Sequence, residues 1–339
     1  PDEGEVQLAV ILQPAQTATI TVLLPDGRPA ANADIGLVSP GAQLRLLPGG
    51  FDRHSSVSGG SILSADASGR VRLPPDEAIQ KIVAVHAQGY AEATPALLRA
   101  EPMLRLQPWG RIEGTYWSGG KAAAGREMFL KFIDSELSTV SFDFEAYRVT
   151  TDAQGRFTFA KAPPVRLRLI RLVPNAQPDG SKAWSHQPLT EVDVRSGETT
   201  QIELGKSDRR VVVRLRWSDG WQPQPGWRVE AGLSTPAPMP PEELRTNSIA
   251  AMRWQRRPEN RGAFANLRLF PLKESDDGSW TADEVAPGNY LVRAFVRDPN
   301  ALAGKDNPPA RFEAPVLVPD DPSAGTFDVG ELPLQPAGR

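Results

Sequence analysis

The sequence predicts an all-β protein built from tandem β-sandwich domains, and three of its features carry this prediction. Apolar runs have the length of strands, as in Arg209–Trp217 (RRVVVRLRW), and turn residues separate them. The 33 prolines and 29 glycines of the 339-residue chain limit continuous helix. One strand–turn–strand pattern also occurs three times, at intervals of roughly 90–125 residues, which is the size of a single sandwich domain.

The recurring pattern is clearest in Val149–Phe159 (VTTDAQGRFTF). Asp152 begins a tight turn, and Gly155 takes a positive φ without the penalty of a Cβ atom. Phe157 and Phe159 are two positions apart, so both rings point to one face of a strand and into a core. We predict a hairpin here, and the same hairpin at Ser64–Leu73 and Lys273–Val285.

The first repeat is predicted to span residues 15–108. The run Glu5–Pro14 precedes it and ends in Ile-Leu-Gln-Pro, which resembles the ends of the later repeats. We therefore predict residues 1–14 to be the last strand of a preceding repeat, and the chain to be part of a longer protein. The stretch Ser39–Gly60 reads as a long loop because it is rich in Gly, Ser and Pro. The strands are predicted at Thr17–Leu24, Ala33–Val38, Lys81–Gln88 and Met103–Leu106.

The second repeat is predicted over residues 109–206 and the third over residues 207–339. The third is longer because of an insertion at about 238–258, where Pro240 and the acidic residues after it favour a short helix to about Trp254. The strands of the second repeat are predicted at Trp109–Tyr116, Met128–Ile133, Ser141–Glu145, Val165–Val173, Glu191–Val194 and Thr200–Leu204. Those of the third are predicted at Arg209–Trp217, Trp227–Leu233, Asn266–Phe270, Asn289–Val296, Val316–Val318 and Phe327–Leu334.

Three motifs resemble the carboxypeptidase regulatory-like family, a transthyretin-like sandwich related to the B-type repeats of Gram-positive surface proteins. They are Asp26–Pro29 (DGRP), Thr151–Phe159 (TDAQGRFTF) and Ala286–Leu291 (APGNYL). The second repeat departs from the family pattern, because Pro163–Val165 (PPV) stands where Pro-Gly is expected. The resemblance implies immunoglobulin-like, Greek-key sandwiches that serve as non-catalytic accessory modules, mostly in bacterial envelopes.

Composition excludes several classes of protein. The net charge is −3, from 38 basic and 41 acidic residues, which argues against a nucleic-acid partner. No apolar run reaches the roughly 20 residues of a transmembrane helix, so no membrane insertion is expected. The absence of cysteine excludes disulfides and thiolate sites. A chain without cysteine is typical of an exported bacterial protein, although a cytosolic protein can lack cysteine too. We expect this protein to be located in the periplasm, on the cell surface or outside the cell.

The chain carries no motif of a known catalytic site. It has no nucleophile elbow, phosphate-binding loop or dinucleotide fingerprint. Asp143 and Glu145 alternate with phenylalanines, which predicts the solvent face of a half-buried strand rather than a catalytic pair. We therefore predict no enzymatic activity, no catalytic residue, no metal and no cofactor, and leave open whether a repeat binds calcium. The histidines stand alone, without the spacing of metal ligands, at His54, His86 and His186.

Tryptophan is the one residue type that is unevenly distributed, since five of the eight lie in the third repeat. Trp254 stands among arginines in Met252–Arg257 (MRWQRR), inside the insertion. Exposed aromatic and arginine clusters stack sugars or anchor protein partners. We predict a ligand-binding site formed by Trp221, Arg253, Trp254 and Arg256. The alternative is that the tryptophans belong to the core or its rim, and that Trp254 pins the insertion to the sheet.

The sequence favours a non-catalytic structural or interaction array that spaces or presents a functional domain in a bacterial envelope protein. The alternative is a carbohydrate- or peptide-binding module centred on the third repeat. Its partner would be a cell-wall or extracellular glycan or another envelope protein.

Overall fold

The structure is a computed structural model. It describes residues 17–41, 43–54, 61–76, 78–133, 140–176, 182–218, 221–238, 240–245, 248–255, 257–265, 267–297, 310–321 and 325–336, so the predicted strand Glu5–Pro14 lies outside the described residues. The chain forms two compact units: unit 1 comprises residues 1–109 and 137–143, and unit 2 comprises residues 110–136 and 144–339. None of the described helices is long and apolar enough to cross a membrane.

Unit 1 contains a sandwich of two sheets, with strand orders β6-β1-β9 and β5-β2-β7-β8, and a third small sheet, β13-β3-β4. Ile20 and Val22 of the first sheet and Ile35 and Ile82 of the second share one buried core. The first strand, β1, pairs in parallel with the last, β9. The elements are β1 (Ala18–Leu23), β2 (Asp34–Val38), β3 (Leu44–Leu47), β4 (Gly50–Phe51), β5 (Ser61–Ser64), β6 (Arg70–Leu73), β7 (Lys81–His86), β8 (Gly89–Ala93), α1 (Pro95–Ala100), β9 (Met103–Arg105) and, from later in the chain, β13 (Val140–Phe142).

The prediction of one long loop at Ser39–Gly60 is wrong, because β3 and β4 lie within it. Leu46 and Phe51 are buried, and burial of these side chains makes strands of a stretch that is otherwise rich in Gly and Ser. β3 pairs with β4 on one side and, in parallel, with β13 on the other. The predicted strand Ser141–Glu145 therefore ends at Phe142, which is buried in unit 1.

Unit 2 begins with two further sheets. In the first, β10 lies between β15 and the parallel strand β18 and also pairs with β11. The second has the order β14-β12-β16-β17. Phe157 and Phe159 of the first sheet are buried as predicted, and so are Leu130 and Leu167 of the second. The strands are β10 (Gly110–Ser118), β11 (Lys121–Ala122), β12 (Glu127–Phe132), β14 (Arg148–Thr150), β15 (Arg156–Ala162), β16 (Arg166–Ala176), β17 (Lys182–Asp193) and β18 (Thr199–Leu204).

The remainder of unit 2 is a sandwich whose two sheets are joined at both edges, so that seven strands close in the order β19-β22-β21-β20-β23-β24-β25. Again the first and last strands, β19 and β25, pair in parallel. In place of the single predicted helix, three short helices lie among the described residues between β20 and β21. The elements are β19 (Arg209–Trp217), β20 (Arg228–Ser234), α2 (Glu242–Arg245), α3 (Ser248–Gln255), α4 (Pro258–Ala265), β21 (Leu269–Glu274), β22 (Trp280–Val285), β23 (Gly288–Arg297), β24 (Ala310–Val318) and β25 (Thr326–Pro336).

The recurring turn forms as predicted, but the two strands around it do not always pair with each other. The oxygen Oδ1 of Asp152 accepts the backbone N–H groups of Gln154 and Arg156, and Gly155 has a φ of +71°. However, β14 pairs with β12 while β15 pairs with β10, so the turn connects two sheets of the sandwich. The segment Ser64–Leu73 behaves alike, because β5 pairs with β2 and β6 with β1. Only at Lys273–Val285 do the strands, β21 and β22, pair as a hairpin.

The all-β sandwich class is confirmed by these sheets. The division of the chain into repeats that end at residues 108 and 206 stays a prediction. In the structure, residue 206 lies inside unit 2, where the sheets of residues 110–204 adjoin the closed sheet of residues 209–336.

Candidate functional site

Glu284, near the end of β22, is the centre of a buried ionic cluster in unit 2. Its side chain is only 2% exposed. Nε of Arg126 donates a hydrogen bond of 2.8 Å to its Oε1, and Arg171 forms a second ion pair with the same carboxylate. Arg126 precedes β12 and Arg171 lies on β16, so one carboxylate ties the closed sheet to its neighbour. We call this group of charges the ionic junction.

The backbone at Glu284 is strained. Its φ of +57° lies in the left-handed region, which costs a residue other than glycine about 1–3 kcal/mol. Pairing between β19 and β22 is regular up to Val211 and Ala282 and resumes at Arg209 and Val285. Two residues of β22 thus stand opposite one of β19, which is a β-bulge. The bulge redirects the Glu284 side chain toward the arginines.

A second buried carboxyl group, Asp208, belongs to the ionic junction. Burial, and next the negative charge of Glu284, raise the pKa of Asp208 from 3.8 to about 6, while Arg268 and Arg171 act in the opposite direction. Nη1 of Arg171 also lies 3.3 Å from the hydroxyl oxygen of Tyr116, whose pKa is raised by burial. The junction therefore combines two acids with arginines from both sides.

Two further hydrogen bonds cross between the same parts of unit 2. Nε2 of Gln187 donates to the carbonyl oxygen of Leu269 over 2.6 Å. Nη2 of Arg268 donates to the carbonyl oxygen of Leu189 over 3.1 Å. Both bonds run between β17 and the start of β21. Ionic and neutral contacts thus fix the closed sheet against the sheet β14-β12-β16-β17.

Of the four predicted ligand-binding residues, the structure describes Trp221, Arg253 and Trp254, and it does not bring Trp221 together with the other two. Trp221 packs within the closed sheet, its ring centroid 4.5 Å from that of Phe312, which matches the alternative interpretation as a residue of the core or its rim. Trp254 is half-buried against Phe264. Arg253 is exposed on α3, and Arg256 lies outside the described residues.

Trp221 and the insertion also lie at opposite ends of β20. Trp221 precedes β20, whereas the insertion follows its other end, and a seven-residue strand is about 20 Å long. Within the described part of the chain, no ring contact or hydrogen bond joins Trp221 to Arg253 or Trp254. A binding site that uses all four residues therefore stays a prediction, and the described residues among them share no pocket.

The insertion nevertheless exposes an unusual face. Ile249 is 63% and Met252 is 48% exposed, and Arg253 follows directly. These positions are three and four residues apart, so they share one side of α3. An apolar face beside a guanidinium group can contact a partner that is both apolar and anionic.

Among the described residues, no group of three or more His, Asp or Glu side chains is placed to hold a metal ion. His54 is fully exposed, and the ring of His86 accepts the N–H of Gln88. Burial, and then the charge of Lys131, lower the pKa of His186. Glu145 pairs with Arg148, three residues further along the chain.

Comparison with known proteins yields only distant similarities. No family model matches the chain, and no curated protein matches it. The chain is similar to a minor pilin of Streptococcus agalactiae, with 13% identity over 68% of this chain and 98% of the pilin and a TM-score of 0.28. A streptococcal ancillary pilin shares 10% identity over 95% of this chain and all of its own length, with a TM-score of 0.23. The TIE protein of Bacillus anthracis shares 9% identity over 94% of this chain and 50% of its own, with a TM-score of 0.22.

Similarities of this size carry no argument about function. The resemblance to the carboxypeptidase regulatory-like family therefore rests on the sequence motifs and stays a prediction. The ionic junction, by contrast, was not found by sequence reasoning at all, since Arg126 and Glu284 are 158 positions apart.

Proposed function

We propose that this chain is a non-catalytic structural array of carboxypeptidase regulatory-like sandwiches, which spaces or presents a functional domain in a bacterial envelope protein. The ionic junction is the observation that carries this proposal. A spacer holds the domains on either side of it at a constant distance and orientation. It can do so only if the joints between its sandwiches are rigid.

The composition of the junction supports a fixed joint. A carboxylate that is 2% exposed and bound by two arginines keeps its partners close, because separation would leave a buried charge unpaired. The strained backbone of Glu284 is consistent with a geometry that the surroundings impose.

Distance measurements between spin labels test this proposal. The chain has no cysteine, so labels can be placed at will, for example on Glu198→Cys and Asp276→Cys, which are exposed turn residues on the two sides of the junction. We expect a single narrow distance distribution that broadens in a Glu284→Gln background. A broad distribution in the otherwise unaltered protein would contradict a fixed joint.

The exposed face of α3 favours a second candidate function, a carbohydrate- or peptide-binding module in the insertion. Arg253 and Trp254 would then contact the ligand, together with Met252. Titration with cell-wall fragments or a glycan panel should quench tryptophan fluorescence, and Trp254→Phe should remove that change. If no fragment changes the fluorescence, only the spacer function is left.

A further inference from the structure

A groove of about 520 Å³ lies within unit 2, between β17 and the segment that joins β20 to β21. One wall is the strand segment from Pro188 to Glu191, and the other is formed by Thr235, Pro236 and the α4 residues Gly262 and Ala263. Its volume falls in the range of small-ligand sites. The second wall comes from the two ends of the segment that carries the insertion, and the insertion has no counterpart in the other predicted repeats.

The groove is held open by hydrogen bonds around Arg268. The backbone N–H of Arg268 donates to Oγ1 of Thr235 over 3.0 Å, and the N–H of Thr235 donates back to the carbonyl oxygen of Arg268 over 3.1 Å. The guanidinium group of Arg268 reaches across to the carbonyl oxygen of Leu189. Both walls are thereby fixed before any ligand binds, which lowers the entropic cost of binding.

An irregularity in β17 shapes the first wall. Leu169 pairs with Thr190 and Ile170 pairs with Pro188, so Leu189 is an extra residue that bulges from the ladder. Pro188 has no N–H to donate at this point. β17 is also the outer strand of its sheet. Bulges on outer strands commonly accompany binding sites, because they redirect side chains and end regular pairing.

The charges of the groove favour an anion. Arg168 and Arg268 both line it, against a single lining acid, Glu191, and Arg268 also acts on Asp208 of the ionic junction. Glu191 is itself shared, since it accepts from Arg168 over 2.7 Å and pairs with Arg166 over 2.9 Å. Guanidinium groups bind carboxylates through two parallel hydrogen bonds. The excess of guanidinium groups therefore suits a carboxylate.

We propose that this groove binds an acidic peptide segment, with a Glu or Asp carboxylate at Arg268 and small apolar side chains against Pro188 and Pro236. A peptide is favoured over an acidic sugar because the described residues that line the groove include no aromatic ring for a sugar to stack on. This site would add a partner to the spacing role, although it shares Arg268 with the ionic junction.

Fluorescence anisotropy with labelled peptides tests the proposal. The probes are pools of fluorescein-labelled heptapeptides with Glu at the centre and mixtures of Ala, Leu, Pro and Thr elsewhere, and matched pools with central Gln. Ala263→Trp places a bulky ring at an exposed wall position, and Ala96→Trp makes the same change on the exposed surface of α1 as a control. We expect the Glu pools to bind at least about tenfold more tightly than the Gln pools. Ala263→Trp and Arg268→Gln should each weaken binding about tenfold, and Ala96→Trp should leave it unchanged.

Three results would overturn the proposal. These are equal binding of the Glu and Gln pools, no binding of either pool, and unchanged binding by Ala263→Trp. If tetragalacturonate binds and the peptides do not, the groove takes acidic sugars and the peptide assignment is wrong. Because Arg268 also belongs to the ionic junction, a melting curve must show that Arg268→Gln is folded. If Arg268→Gln is unfolded, the proposal is tested by the peptide binding of Ala263→Trp only.

Discussion

Replacing Glu284 by Gln removes the central charge of the ionic junction while keeping the size of the side chain. Glutamine also keeps the penalty for a positive φ, so the change isolates the ion pairs. Breaking a buried ion pair by removing one partner costs about 3–5 kcal/mol. The side chain of Arg171 is 15% exposed and that of Arg126 is 36% exposed, so water can partly solvate Arg126. We therefore expect a loss at the lower end, about 3 kcal/mol.

Thermal unfolding provides the assay. A loss of 1 kcal/mol lowers the melting temperature of a domain of this size by about 2–4 °C, so unit 2 should melt about 6–12 °C lower in Glu284→Gln. The matched control is Glu331→Gln on the same closed sheet. Its partner Arg216 is 72% exposed, and such surface pairs contribute less than about 1 kcal/mol. If the two variants melt at the same temperature, the junction does not hold the sandwiches together.

Three further predictions concern other buried groups. The pKa of Asp208 is about 6 in the folded protein against an ordinary 3.8, so stability falls as pH rises between these values, by up to about 3 kcal/mol. Asp208→Asn should therefore melt higher than the unaltered protein at pH 8 but equally at pH 4, and a difference at both pH values would contradict the assignment. Phe142→Ala should destabilise unit 1 by about 3 kcal/mol and speed hydrogen exchange in β3, although residues 110–136 before this segment and residues 144–339 after it belong to unit 2; unchanged exchange would show that β13 is dispensable. Gly155→Ala should cost about 1–3 kcal/mol more than Gly278→Ala in urea denaturation, because only at Gly155 would the new Cβ lie 2.6 Å from a backbone oxygen, and equal costs would contradict this contact.

Local chemistry made much of the fold predictable. β19 was predicted with its observed bounds, because apolar residues occupy every second position from Val211 to Trp217, which is the period of a strand. The turn glycines were predicted for the same reason, since Asp followed by Gly defines a turn without reference to the rest of the chain. These features depend only on residues that are close in sequence.

Pairing partners could not be predicted in this way. Two strands joined by a tight turn resemble a hairpin, yet β14 and β15 pair with strands of different sheets. Likewise, β13 completes a sheet of unit 1 because Val140 and Phe142 are buried there, not because of anything near it in sequence. Which strands meet is decided by burial across the whole domain, and a repeated motif specifies the turn without specifying the partners.

The ionic junction shows how far one inserted residue changes the chemistry of a strand. Regular alternation after Ala282 would place Glu284 on the core face of β22. The bulge instead brings Val285 into the core, where it is 0% exposed, and leaves Glu284 beside Arg126 and Arg171. An acidic residue at an inward position of a strand is thus the one signal in the sequence that pointed to this junction. It indicates that the strand is either irregular there or paired with a buried cation, and in this chain both are the case.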